Sequence, residues 1–196
     1  KAAIMASLAF GARVVAGDVY HEGISEVSQA DIAFANRLGY EIKLLAIAEV
    51  FEGATQADRE IGVRVHPAMV PTAHPLASVR DSFNAVFVEG SAAGELMFYG
   101  RGAGGRPTAS AVLGDLIDAG LNLAHNTHRS VPGGEAAKIR PIDDLESAYY
   151  VNLEVSDAPG VLAVVAGVFG QHGVSIRSME QEGLGDEARI VFITHE

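Results

Sequence analysis

Residues 99–116, Tyr-Gly-Arg-Gly-Ala-Gly-Gly-Arg-Pro-Thr-Ala-Ser-Ala-Val-Leu-Gly-Asp-Leu, leave the chain few ways to fold locally. The apolar run from Leu96 to Tyr99 reads as a strand, and Gly100, Gly102, Gly104 and Gly105 then remove the Cβ atoms that would keep a ligand from the backbone. Pro107 suits a first helical turn, and Ala111, Leu113, Leu116 and Ile117 form an apolar stripe behind it. The expected unit is strand, glycine loop and helix, the helix covering residues 108–123. Free N–H groups at such a helix start favour an anionic or polar ligand. Gly100, Gly102 and Gly105 match the spacing G-x-G-x-x-G, but no acidic residue follows at the distance of a dinucleotide-binding βαβ unit. By itself the motif reads as a glycine-rich turn.

The residues before it predict a mixed α/β unit. Ala2 to Phe10 has helix propensity and an apolar stripe, with Gly11 as its stop. Ser28 and Asp31 have capping-box spacing at the head of a helix through Ile32, Phe34, Ala35 and Leu38, which Gly39 closes. Residues 42–48 and 61–65 read as strands, and Lys43 within the first is expected to snorkel out of the sheet. The prolines Pro67, Pro71 and Pro75 make residues 66–76 a loop. Residues 84–89 and 95–99 form a strand pair across the turn 90–94.

After the second half of the glycine-loop helix the apolar period disappears. Residues 130–147, with Pro132, Gly133, Gly134 and Pro141, read as a linker between a domain 1–129 and a domain 148–196. In the latter, Tyr149, Val151, Leu153 and Val155 alternate as a strand, the turn 157–160 leads into a helix 161–171, and strands 174–178 and 188–194 follow, joined through Gly183 and Gly185. The order β-α-β-β is part of a ferredoxin-like unit without its last helix and strand. The fold class expected is α/β (α+β): a mixed-sheet domain followed by a truncated ferredoxin-like one.

A formal net charge of −11 argues against a nucleic acid or an anionic membrane as the main partner. Zero cysteines exclude disulfides and thiolate metal sites and suit a reducing cytoplasm. No signal peptide and no membrane-spanning apolar run is found. His21-Glu22 lacks a second histidine, and His125 with His128 lacks a third ligand, so no metal is expected. The chain opens on Lys1 and stops at Glu196 just after an apolar strand, so a fragment is expected at both ends.

Three separated stretches together resemble the homoserine dehydrogenase family. Residues 1–10, Lys-Ala-Ala-Ile-Met-Ala-Ser-Leu-Ala-Phe, resemble the segment that follows its Asp-x-x-x-Lys signature, with Lys1 at the last signature position. Residues 19–48, with Glu22-Gly23-Ile24, Asp31, Leu38-Gly39 and Ile42-Lys43-Leu44-Leu45-Ala46, resemble the body of its substrate domain. His74-Pro75-Leu76-Ala77-Ser78-Val79 and residues 100–116 resemble its closing segment. The tail from Ala148, with Asp157-Ala158-Pro159-Gly160-Val161-Leu162 and Ile190-Val191-Phe192-Ile193-Thr194-His195, is similar to an ACT regulatory domain.

The resemblance implies an NAD- or NADP-linked interconversion of L-homoserine and L-aspartate 4-semialdehyde, in threonine, methionine and isoleucine biosynthesis. It implies a Rossmann domain upstream of Lys1, a substrate domain whose sheet also makes a homodimer, and a helix after the glycine loop that returns to the nucleotide domain. Lys1 takes the place of the lysine that passes a proton at the substrate oxygen, and His74 that of a histidine near the active site. Gly104, with Gly102 and Gly105, falls where the family approaches its cofactor. In the ACT-like part, Asp157, Ala158, Pro159, Gly160, Val161 and Leu162 are the effector site, with threonine as the expected effector. Asp157 as a plain helix cap is the alternative for that turn. Without the upstream cofactor domain and signature aspartate, the fragment alone is expected to be inactive. The competing reading is a non-catalytic amino-acid-binding and dimerisation module.

Overall fold

In the computed structural model residues 1–53, 58–127, 135–183 and 188–196 are described, and they divide into two units, Lys1–Arg140 and Pro141–Glu196. The first unit opens with helix α1 (Ala2–Phe10). Helix α2 (Gln29–Arg37) starts at the expected cap: Ser28 Oγ accepts from the Asp31 N–H at 3.2 Å, while an Asp31 carboxylate oxygen accepts from the Ser28 N–H at 2.9 Å. Strands β2 (Tyr40–Phe51) and β3 (Glu60–Pro71) form a long antiparallel ribbon, in register from Tyr40 opposite Pro71 to Phe51 opposite Glu60. On the other side of β3 the short strand β1 (Tyr20–His21) pairs in parallel. Ala6, Val14, Ile61 and Val63 form a buried cluster, with Phe10 and Ala48 against it, so α1 covers the face of the ribbon that carries odd-numbered β3 residues.

Pro67 and Pro71 lie inside β3, where the sequence alone argues for loop. The reason is the direction of the backbone groups. Ile61 and Val65 carbonyls accept from the Arg140 and Glu22 N–H groups at 3.1 and 2.8 Å, so odd-numbered residues of β3 turn their backbone polar groups away from β2. Pro67 has the same parity. Its missing N–H costs no bond to β2, and beyond Val65 no strand among the described residues pairs on that edge.

Strand β4 (Phe83–Gly90) and strand β5 (Gly94–Arg101) make the expected hairpin, in register from Phe83 opposite Arg101 to Gly90 opposite Gly94. Helix α3 (Gly105–Ala124) follows directly, beginning three residues earlier than the sequence suggests. Its apolar stripe is not covered: Val112, Leu113, Leu116 and Ile117 are all more than half exposed.

Residues 135–140, expected within the linker, instead belong to the first unit. Ala136 bridges Arg13, and strand β6 (Lys138–Ile139) pairs in parallel with Glu60 and Ile61 at the edge of β3. Residues 128–134, which include His128, lie outside the described residues. The Glu60 carboxylate clamps this strap, meeting the Lys138 ammonium at 2.7 Å and the Arg140 guanidinium at 3.2 Å. The hydrogen bond from Lys138, followed by the two positive charges, holds the Glu60 carboxyl below its ordinary pKa, and the same bond raises that of Lys138. Glu60 therefore contributes docking above the ordinary glutamate value and loses it as pH falls through its lowered one. Lys138 contributes below the ordinary lysine value and loses it as pH rises through its raised one. Amide exchange at Arg140, corrected for intrinsic rate, is expected to accelerate on acidification below the usual carboxylate range. In Glu60→Gln it is expected to be fast at neutral pH already, and equal protection in the two proteins would show that the clamp holds nothing.

The second unit contains strand β7 (Tyr150–Val155), helix α4 (Val161–Gln171), strand β8 (Ile176–Glu182) and strand β9 (Ala188–Thr194), in the sheet order β7-β9-β8 with antiparallel pairing. That is the expected β-α-β-β order. Of the joining glycines, Gly183 is described and Gly185 lies outside the described residues. The central strand carries the core: Ala188, Ile190, Val191, Phe192 and Ile193 are all buried. The Phe169 ring of α4 packs on Phe192 at 5.1 Å, tilted by 58°.

Candidate functional site

Lys1 stands immediately before α1, and its carbonyl accepts from the Met5 N–H at 3.0 Å. Its side chain is exposed and makes no capping bond.

His74 lies between β3 and β4, half-buried, at the head of a short 3₁₀ turn over Pro75–Ser78. Its Nδ1 accepts from the Leu76 N–H at 3.1 Å, its own N–H donates to the Pro71 carbonyl at 2.8 Å, and its ring meets Phe87 of β4 at 4.7 Å. Lys43, expected to snorkel, instead donates from Nζ to the Val79 carbonyl at 2.8 Å, just after this turn. Glu41, two residues earlier on β2, pairs with Arg80 at 2.9 Å. Lys43 and Glu41 share the face of β2 opposite Ala48, so the segment after His74 is tied to one face of the ribbon and α1 to the other. No hydrogen bond or ion pair among the described residues joins Lys1 to His74 or to the glycine loop.

The loop glycines have different reasons. Gly104 caps α3 at φ 122° and ψ 145°, a conformation open in practice to glycine alone, and a Cβ there would also press on Pro107. At Gly102 a Cβ would meet the Asn84 side-chain amide of β4, the movable end of an exposed side chain. A Cβ at Gly105 would meet nothing within 4 Å. Gly104 and Gly105 open onto a shallow apolar surface with Thr108, Ala109, Val112 and Leu113. Bare backbone at a helix start and free space beside Gly105 leave room for a ligand that carries a polar or anionic group.

In the second unit residues 156–160 are exposed, and Val161 and Leu162 are half-buried. Gly160, left-handed at φ 91°, is the N-cap of α4 and offers no side chain to the helix. Asp157 does not cap it either; its carboxylate accepts from Gln181 of β8 at 3.5 Å. Among the described residues no side chain caps the helix N–H groups, a start whose partial positive charge suits an anionic group. Sequence reasoning missed Lys43 and Asn84. The signal for the first was a lysine inside an apolar strand; for the second there was none, because its role exists only across the hairpin.

Known proteins resemble this chain over its whole length. The homoserine dehydrogenase family matches residues 1–117, and the ACT domain family matches residues 149–196. Over the whole chain, the homoserine dehydrogenases of Corynebacterium glutamicum and Mycobacterium tuberculosis are 50% and 48% identical. The chain spans less than half their length, 44% and 46%. Among solved structures, a homoserine dehydrogenase from Thiobacillus denitrificans superposes over 100% of the chain and 44% of its own, with a TM-score of 0.88 and 35% identity. That of Staphylococcus aureus at pH 6.0 covers 98% of the chain and 45% of its own, with a TM-score of 0.67 and 28% identity. The chain belongs to the homoserine dehydrogenase family and carries an ACT domain.

Proposed function

We propose that this chain is the substrate-binding and regulatory portion of an NAD- or NADP-dependent enzyme that interconverts L-homoserine and L-aspartate 4-semialdehyde in threonine, methionine and isoleucine biosynthesis. The observation that carries the reading is the family match over residues 1–117, within which Lys1, His74 and the Gly104 helix start all fall. The coenzyme supplies or accepts the hydride. Lys1 passes the proton at the substrate oxygen, where its charge also steadies an oxygen that becomes negative. Gly104 and Gly105 let the coenzyme approach, and the uncovered stripe of α3 packs against the domain that binds it. The working form is a cytoplasmic homodimer or larger homo-oligomer. The portion alone turns over no substrate; the full-length protein, assayed with homoserine and NADP, does. Absence of turnover in the full-length protein with either coenzyme would reject the reading.

The uncapped start of α4 supports regulation by an amino acid, threonine first, whose carboxylate lies at the helix N-terminus and whose ammonium group meets Asp157. Threonine at ~100 times its dissociation constant is expected to stabilise the full-length protein by about 2.7 kcal/mol. Asp157→Asn is expected to weaken binding by roughly tenfold, about 1.4 kcal/mol, and to shrink the shift in melting temperature accordingly. An unmoved melting temperature with millimolar threonine would leave the turn without an effector. Activity without a threonine effect separates the enzyme reading from the regulatory one, and a threonine effect without activity favours the module.

A further inference from the structure

The strap of residues 135–140 carries its side chains to both sides of the sheet. Lys138 stands opposite Glu60 and Ile139 opposite Ile61, so odd-numbered strap residues share the α1 side of β3 and even-numbered ones the other. Ala137 and Ile139 accordingly pack on the cluster of Ala6, Val14, Ile61 and Val63, on which Ala2, Ala3 and Phe10 of α1 also rest. On the far side Lys138 and Arg140 meet Glu60, and the Arg140 guanidinium lies over the Phe51 ring at 4.3 Å. The core beneath α1 is thus completed from the strap, while the charges that hold the strap lie on the opposite face.

Hydrogen bonds lead from the strap to the first turn of α1. The Arg13 N–H donates to the Glu135 carbonyl at 3.0 Å, and the Arg13 carbonyl accepts from the Ala137 N–H at 3.1 Å. The next residue, Val14, donates its N–H to Ser7 Oγ at 3.0 Å. Ser7 Oγ gives its own proton to the nearer of two carbonyls, that of Ala3 at 2.9 Å rather than that of Val14 at 3.4 Å. Ala3 lies in the first turn of α1, which Lys1 precedes. A two-residue edge strand opens more easily than a twelve-residue ribbon, so the strap can leave β3 while β2 and β3 stay paired.

We propose that residues 135–140 are a latch on α1, and that Ser7 is the positioning residue that passes the docking of the strap to the first turn and so to Lys1. The consequence for turnover rests on Lys1 being the proton carrier of the proposed reaction; the coupling itself does not. With the strap undocked, α1 loses Ala137 and Ile139 from its core, Val14 loses its place beside Ser7, and the first turn frays.

Hydrogen exchange of the full-length protein, followed at single amides and corrected for intrinsic rate, reads the coupling without any turnover. Glu60→Gln loosens the strap from the face away from α1, so a response in α1 has to come through the strap. It is expected to speed exchange at Ala137 about tenfold and at Met5 by a similar factor, while the ribbon amides 43–47 keep their rates. The double variant Glu60→Gln/Arg140→Ala removes the Phe51 contact as well, and is the test should the single one leave Ala137 protected. Alanine is a better helix former than serine, so without the coupling Ser7→Ala would leave Met5 unchanged or slow it. The latch predicts the opposite, Met5 about tenfold faster with Ala137 still protected, and no further change when Glu60→Gln is added. Fast strap amides with an unmoved Met5, or effects of the two substitutions that simply add, overturn the proposal. Ser7→Ala is also expected to lower kcat for homoserine about tenfold at nearly unchanged KM, and Ser7→Thr, which keeps the hydroxyl, to restore it. An unchanged kcat removes Lys1 from the coupling. If homoserine is not turned over at all, the proposed reaction fails while the exchange rates still decide the latch.

Discussion

On the proposed reaction, Lys1→Met in the full-length protein is expected to lower kcat for homoserine oxidation by about 10²–10⁴-fold, with KM changed far less. The side chain is exposed and makes no capping bond, so methionine keeps the aliphatic stem and removes only the ammonium group. Folding should be untouched, since the nearest buried residue of α1 is Ala6 and the helix keeps its bond from Met5 to the Lys1 carbonyl. The loss therefore falls on the step in which the substrate oxygen exchanges its proton. Stopped-flow traces of nicotinamide absorbance should show that step itself slowed, rather than product release. Turnover within about threefold of wild type would end the assignment of Lys1 as proton carrier.

The largest effect on stability is expected from Phe192→Ala. Phe192 is 0% exposed in the central strand of the second unit and touches Phe169 of α4 across the interior. Truncating a buried phenylalanine typically costs 3–5 kcal/mol through lost burial and the cavity left behind, on the order of the marginal stability of a small unit. Urea melts followed by hydrogen exchange should show β9 amides unprotected in Phe192→Ala while those of β2 and β3 keep their protection. Phe192→Leu, which preserves most of the volume, should cost only about 1–1.5 kcal/mol. A loss below about 1 kcal/mol in the alanine variant would mean that β9 is not the core of the unit.

Much of the chain is legible because its signals are local. Ser28 and Asp31 bond to each other's backbone three residues apart, so the start of α2 follows from spacing alone. The alternation from Val151 to Val155 becomes β7, because a period of two matches a pleat with one wet face, and the continuous apolar run from Ala188 to Thr194 becomes β9, which is buried on both faces. The glycine loop likewise delivers α3. Other residues were not legible. Pro67 argues against a strand until Val65 reveals which way the backbone of β3 turns. Lys43 looks like a solvated amine until Val79 is placed beside it.

The amino-acid sequence by itself determined the helices and most of the strands, the two-part organisation and the family to which the parts belong. All of these rest on residues within a few positions of one another or on their order along the chain. Only the tertiary structure decided that residues 135–140 are a strap on β3, that Asn84 lies beside Gly102, and that Lys43 bonds the end of the turn after His74. The physical reason is one of distance: each depends on a hydrogen bond, a charge or a van der Waals contact with a residue far away in the chain, and such a partner leaves no periodicity to read.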